Sequence, residues 1–303
     1  MPKRVNWRIE ASPGGIRLDV ALAGKLPDVS RSMLQELIRE GAITVDCKKY
    51  KPSQKLHGNE LVVCEIPDYE APPTLTPTSM NFEILFEDKH IIAVDKPSGL
   101  VVHPGAGRER ECVVSAVLSH TDLCPVGAPN RPGIVHRLDK GTSGVMILAK
   151  SRQAYQKLVK MFAARELAKE YLSIVQGKLE NQSGRIEIAI ERDRLHRKRM
   201  QATAADRGRM AITTYQTEEI LKGSTLVRVR IETGRTHQIR VHFAYLGHPL
   251  LGDVLYGGRR WQGKPTHFLH SAKLQLMHPI TGEALILEAP LPAAFRQALH
   301  DLR

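Results

Sequence analysis

The chain has 303 residues, 42% hydrophobic and 25% charged, which fits an ordinary globular protein with a buried core and roughly two domains. Lysine and arginine exceed aspartate and glutamate by 12, a balance that favours polyanionic partners, with nucleic acid ahead of an anionic membrane surface. No apolar run approaches the roughly 18 residues a membrane span needs. The opening MPKRVNWRIEASPGG carries positive charge with no apolar stretch behind it, so no secretory signal is expected there.

Charge is unevenly spread. Residues 1–70 hold 11 basic and 10 acidic side chains, so the positive field belongs to the rest of the chain. Cys47, Cys64, Cys112 and Cys124 lie far apart with no C-x-x-C pair. That pattern argues against a zinc site or a disulfide framework and suits a reducing, cytoplasmic setting.

In chain order, Arg17-Leu18-Asp19 opens a short helix with Leu18, Ala21 and Leu22 on one face. SRSMLQELIREG follows as a second helix. Ser30 is its N-cap, Met33, Leu34, Leu37 and Ile38 form its apolar stripe, and Gly41 suits the position after its end. Arg31 and Arg39 stand away from that stripe. Short strands are expected at 43–45 and 60–65. The clearest boundary is DYEAPPTLTPTS at 68–79, whose prolines predict a semi-rigid linker over 69–79.

Beyond it, strands are expected at 91–95, 145–149, 171–175, 185–190, 211–217, 226–232 and 285–289. Val227, Val229 and Ile231 alternate with Arg228, Arg230 and Glu232, as in a half-buried strand. Helices are expected at 152–165, with Tyr155, Leu158, Val159 and Phe162 inward, and at 236–246. PITGE at 279–283 reads as a hairpin turn. Short connections between many strands predict an α+β fold whose catalytic part is a mixed, largely antiparallel sheet with flanking helices. The absence of a phosphate-binding glycine loop argues against a nucleotide cofactor.

The densest polar segment is GIVHRLDKGTSG at 133–144, pinned between apolar stretches. A carboxylate at Asp139 could serve there as nucleophile, general base or metal ligand, or satisfy backbone donors in a turn. A metal usually draws further acidic or histidine ligands, and only His136 is close in sequence.

HRLDKGTSG at 136–144 resembles the H-R-L-D-x-x-T-S-G signature of the ribosomal large-subunit pseudouridine synthase family, RluA type. KPSGLVVHPG at 96–105, KEYLSIVQG at 169–177 and TGRTHQIRVHFAYLGHPLLGD at 233–253 resemble three further stretches of that family, in the same order. The helix-helix-strand-strand order of residues 1–68 resembles the RNA-binding module of ribosomal protein S-four. One departure is Val45-Asp46-Cys47, where that module often has Asn-Gly in the turn. With residues 80–303 as the catalytic domain, the two-part arrangement is similar to the RluD-like branch.

The resemblance implies isomerisation of uridine in structured RNA, such as large-subunit ribosomal RNA in a ribosome precursor, without cofactor, metal or membrane. It implies Asp139 as catalytic aspartate, Tyr171 stacked on the target base, Arg240 paired with the carboxylate and Arg137 filling the gap left by the flipped uridine. His136, Thr142 and Arg235 fall beside these as RNA-binding candidates, Arg235 also as a rival partner for Asp139. Arg31 and Arg39 are the candidates in the first module. A charged segment, ERDRLHRKRMQATAADRGR at 191–209, reads as a phosphate-contacting loop in which Arg197, Lys198 and Arg199 grip RNA. Transfer RNA as substrate and a non-catalytic ribosome-assembly factor stay open as alternatives. Glycosidase chemistry lacks an obvious second carboxylate. A monomer is the default expectation.

Overall fold

The computed structural model describes residues 3–10, 13–26, 29, 31–66, 75–104, 111–126, 131–193, 195–196, 198–262 and 266–303. The chain forms two compact units, one built on residues up to Thr76 and the other on residues from Pro77 onward. Ser30 and most of the Pro-rich segment lie outside the described residues.

The first unit contains β1 (Lys3–Arg8), β2 (Ile16–Arg17), α1 (Leu18–Lys25), α2 (Arg31–Glu40), β3 (Ile43–Val45), β4 (Lys55–Leu56) and β5 (Leu61–Ile66). Leu18 and Leu22 of α1 and Leu34, Leu37 and Ile38 of α2 are buried together against Val45, Val62 and Cys64. Each such aliphatic side chain contributes about 1.5–3 kcal/mol. Asp19 is fully buried, accepting from Arg17 Nε (3.0 Å) and Gln35 Nε2 (2.7 Å), and so ties α1 to α2. Gly41 ends α2 at φ +88°, where a side chain would be strained. The turn after β3 is closed by reciprocal Val45–Lys48 backbone bonds of 3.0 and 2.9 Å, with Asp46 at φ 47° and Cys47 at φ 62°. Asp and Cys here adopt the positive-φ pair that Asn-Gly favours in two-residue hairpins. Asp46 offsets its strain by accepting the Leu61 amide at 2.9 Å.

The second unit continues with β6 (Glu83–Glu87), β7 (Ile91–Lys96), α3 (Val113–Leu118), β8 (Ser143–Ala149), α4 (Arg152–Ala164), β9 (Ala168–Gln176), β10 (Ser183–Arg192), β11 (Met200–Thr203), β12 (Arg209–Leu221), β13 (Ser224–Ile231), α5 (Gln238–Tyr245), a 3-10 turn (Val254–Tyr256), β14 (Leu269–Met277), β15 (Ala284–Glu288) and α6 (Ala293–Leu302). Its sheet runs β11-β10-β12-β13-β9-β14-β8-β7-β6, with β15 on β14. Only β14 and β8 pair in parallel, so the sheet is mixed and largely antiparallel as expected. β8 is buried along its whole length, and Val145 and Ile147 pack with Ala154 and Leu158 of α4. Phe295 and Leu299 of α6 cover Ile174, Leu251 and Phe268.

Three expectations change. Val159 of α4 is 40% exposed, because the inward stripe is completed by Ala154, with Leu158 buried and Tyr155 and Phe162 packed on the same core as expected. The second predicted helix of this unit starts at Gln238, two residues late, since His237 sits at φ 56° and cannot belong to a helical turn. The segment 191–209 is not all loop: β10 extends into it, β11 lies within it, and the two pair from Ala189↔Thr203 to Arg192↔Met200. Among the described residues no helix is long and apolar enough to cross a membrane, and all four cysteines are free thiols.

Candidate active site

The loop before β8 is fastened at several points. The Gly133 amide donates to Cys124 O (2.7 Å) and its carbonyl accepts from Ala149 N (2.9 Å). Three residues on, His136 Nε2 accepts the Ile147 amide at 3.0 Å while its ring stacks on Phe162 at 4.8 Å. Burial, then the charge of Lys169, draws His136 down to about 3, so this ring is neutral. Lys96, at the end of β7, is fully buried and spends its ammonium on Pro97 O (2.9 Å), Lys140 O (3.2 Å) and Thr142 O (2.7 Å). Burial pulls it down to about 7 against the attraction of Asp139 and Asp95. The Thr142 and Ser143 hydroxyls bond His267 Nε2 and His270 Nδ1, each at 2.9 Å. Gly144 has φ +104°, and a Cβ there would come within 2.2 Å of Ser271 O, so glycine is what lets β8 meet β14. The carboxylate of Asp139 is thus carried on a loop held to backbone and side chains on both flanks.

A second element delivers the cations. Arg240, on α5, donates from Nη1 to Asp139 Oδ2 at 3.1 Å and grips Asp253 through Nε (2.7 Å) and Nη2 (2.8 Å). Its forked pairing with Asp253 leaves one face of the guanidinium for Asp139. The turn ahead of α5 is locked by Gln238, whose amide donates to Ile212 O and Thr213 Oγ1, both at 2.9 Å, and accepts from Thr233 Oγ1 at 2.7 Å. His237 places Nε2 3.8 Å from Asp139 Oδ2 and Nδ1 2.8 Å from the Tyr256 hydroxyl. That hydroxyl already accepts the Met200 amide at 2.9 Å. Burial lowers His237 against the attraction of Asp139, which favours its neutral form. The Tyr256 ring lies between two guanidiniums, Arg240 at 5.0 Å and Arg199 at 5.4 Å.

Burial alone would raise Asp139, but His237, Arg240 and His267 together outweigh it and hold the carboxyl below the usual range. Tyr171, on β9, is pushed up to about 12 by burial, countered by its bond with Ser271 and reinforced by Asp139. The phenol is therefore neutral at physiological pH. Asp139 and Tyr171 line one open cleft of about 390 Å³, a size that admits a nucleotide.

Asp139, Tyr171, Arg240, Arg137, Arg235, His136 and Thr142 all border this cleft. They do not present themselves equally. Arg137 is exposed, whereas Thr142 is 2% exposed with its hydroxyl turned to His267. Arg235 donates from Nε to Met210 O at 3.2 Å, and Arg240 is the arginine bonded to Asp139. Lys198 is exposed, Arg199 lies on Tyr256, and Arg197 falls outside the described residues. Arg39 is exposed on α2 in the other unit, and Arg31 belongs to the same helix. Sequence reasoning missed Lys96, His237, Asp253, Tyr256 and His267. Lys96, His237 and Asp253 lay inside quoted motifs, but nothing in a linear pattern says which polar residues of a motif face one another.

A carboxylate braced by an arginine, a neutral tyrosine lining the same cleft and a basic rim suit an enzyme that works on a base of nucleic acid. The chain belongs to the RNA pseudouridylate synthase family, whose model matches residues 90–245, and residues 16–62 match the S4 domain. It is 38% identical over 305 residues to the ribosomal large subunit pseudouridine synthase D of Xanthomonas campestris, covering 96% of this chain and 90% of the relative. The enzyme of the same name from Pseudomonas aeruginosa is 39% identical over 304 residues, with 96% and 93% covered. Among solved structures, human RNA Pseudouridylate Synthase Domain Containing 4 aligns with 27% identity and a TM-score of 0.57, covering 73% of this chain and 92% of that one. The activity is therefore isomerisation of uridine in RNA.

Proposed function

We propose that this protein converts uridines of large-subunit ribosomal RNA to pseudouridine, with Asp139 as the nucleophile. The observation that carries the residue assignment is the Asp139–Arg240 contact at 3.1 Å on the wall of the cleft, with Tyr171 beside it. The ribosomal substrate rests on the two bacterial relatives, both ribosomal large subunit pseudouridine synthases D. In the same reading, residues 1–68 are an RNA-binding module, 69–79 a linker and 80–303 the catalytic domain, working as a monomer in the cytoplasm.

The chemistry follows from the arrangement. A uridine leaves its stack at a cost of a few kcal/mol. Stacking on Tyr171 returns about 1–3 kcal/mol, and the Arg137 guanidinium fills the vacated place. The uracil is then detached at its nitrogen, turned, and rejoined through carbon-5, conserving every atom. Attack on the sugar, removal of a sugar proton and addition to the base all require one ionised carboxylate, and the Arg240 guanidinium favours that state of Asp139. No cofactor is needed for this balance. Arg31, Arg39, Arg197, Lys198 and Arg199 serve as further RNA contacts, with His136 and Thr142 shaping the loop that carries Asp139.

The test is chemical mapping of pseudouridine after incubating the protein with unmodified large-subunit RNA and, separately, with unmodified tRNA. Specific new pseudouridines in the ribosomal RNA support the reading. Modification of tRNA alone would move the substrate, and modification of neither would overturn it.

A further inference from the structure

Cations outnumber anions around the cleft, and Arg165 and Arg235 have no carboxylate partner among the described residues. The two carboxylates of the cleft are taken: Asp139 by Arg240, and Glu232 by Arg185. Lys169 lies over the Phe162 ring at 6.0 Å. Arg165 and Arg235 border the same cleft. The Arg235 side chain is tied by Nε to Met210 O, which sets it against the start of β12, where Arg209 is exposed.

Arg165 adds a second observation. It caps α4 at φ 62°, ψ 33°, the left-handed conformation that glycine adopts freely. An arginine there costs on the order of 1 kcal/mol, and such strain persists where the side chain is needed in place. Burial and then the charges of Arg209 and Arg165 push Arg235 below its usual value, so the other two charges are felt at this guanidinium. Mutual repulsion of this kind is relieved by an anion.

We infer that Arg165, Arg209 and Arg235 form a single phosphate site at the edge of the cleft, which receives one backbone phosphate of the RNA beside the target nucleotide. The inference rests on the reading of the cleft as the RNA site. It assigns these three side chains to one phosphate rather than to three separate contacts. In this arrangement the flipped nucleotide is held at two points, its base at Tyr171 and its flanking phosphate at the arginine trio.

The experiment measures RNA affinity against salt for the full chain carrying Arg165→Gln, Arg209→Gln or Arg235→Gln, and for all three together. One phosphate contact contributes about 0.7–0.9 to the slope of log affinity against log salt. Each single change is expected to lower the slope by up to that amount, and the triple change by about the same amount. A triple variant that loses two or more units shows independent contacts and overturns the shared site, as does an unchanged slope. Arg→Lys variants at the same positions separate charge from folding, since they retain the slope if the site is electrostatic. In a second arm, neutral methylphosphonate linkages are placed one at a time along a modified RNA. Wild type is expected to lose affinity at one linkage next to the isomerised uridine, and the triple variant to be indifferent there; equal sensitivity in both refutes the site. The salt arm needs only a structured RNA that the protein binds, so it is read even if the ribosomal substrate proves wrong.

Discussion

Replacing Asp253 by asparagine tests the electrostatic frame of the site without touching the carboxylate or the cleft. The Asp253 side chain is 1% exposed and that of Arg240 is 8% exposed, joined by bonds of 2.7 and 2.8 Å. Asparagine preserves shape but removes the counter-charge and turns an amide donor toward a guanidinium that has only donors. Breaking a buried pair on one side costs about 3–5 kcal/mol, a large share of the roughly 5–15 kcal/mol that holds a typical domain. Arg240 also loses one of the three bonds that aim it and the charge that strengthened another, and displacement by an ångström is enough to slow an enzyme about a hundredfold. Denaturant unfolding reads the first effect, and single-turnover isomerisation at saturating RNA, under conditions where the variant is folded, reads the second. A variant that unfolds within about 1 kcal/mol of wild type and turns over at its rate would refute this account of Arg240.

Other outcomes follow from the same geometry. Asp139 is held low because His237, Arg240 and His267 outweigh its burial, so Arg240→Gln removes part of that balance and raises it. Activity needs the ionised form, and the acid limb of the pH–rate profile is then expected to move to higher pH; an unmoved limb counts against the pairing. Lys96→Met takes the ammonium away from the carbonyls of Pro97, Lys140 and Thr142, of which the Thr142 bond is buried. It is expected to cost about 2–4 kcal/mol in unfolding measurements and to lower turnover more than RNA affinity. Tyr256→Phe removes the hydroxyl between the Met200 amide and His237. A stability loss of about 1–2 kcal/mol and slower turnover at unchanged RNA affinity are expected, and a wild-type rate would show that His237 needs no such brace.

Strands with one buried face were legible from sequence. β12 alternates from Tyr215 onward and β13 from Val227 onward, and β7 and β8 read as apolar runs. The missed strands lack that signature. β1 is KRVNWR, β6 lies at a sheet edge with no buried residue, and β11 at the other edge is only half-buried. β14 was hidden for another reason: His270 and Ser271 are polar yet buried, because Ser143 and the backbone of β15's end supply partners across the sheet. Within the candidate site, Asp139, Tyr171 and Arg240 came from motif resemblance rather than from periodicity. Lys96 could not be found locally, since a lysine reads as exposed until the carbonyls of residues 140 and 142 fold over it. Asp253 likewise acquires meaning only when α5 brings Arg240 to it across 13 residues.

The most direct test of the central claim compares wild type with Asp139→Asn on the same unmodified large-subunit RNA, measuring binding and mapping pseudouridine on each. Loss of the charge leaves the cleft, Tyr171 and the arginines in place. The account predicts that the variant binds RNA about as tightly as wild type and forms no pseudouridine. Pseudouridine at wild-type sites and comparable rate in Asp139→Asn would contradict Asp139 as the nucleophile.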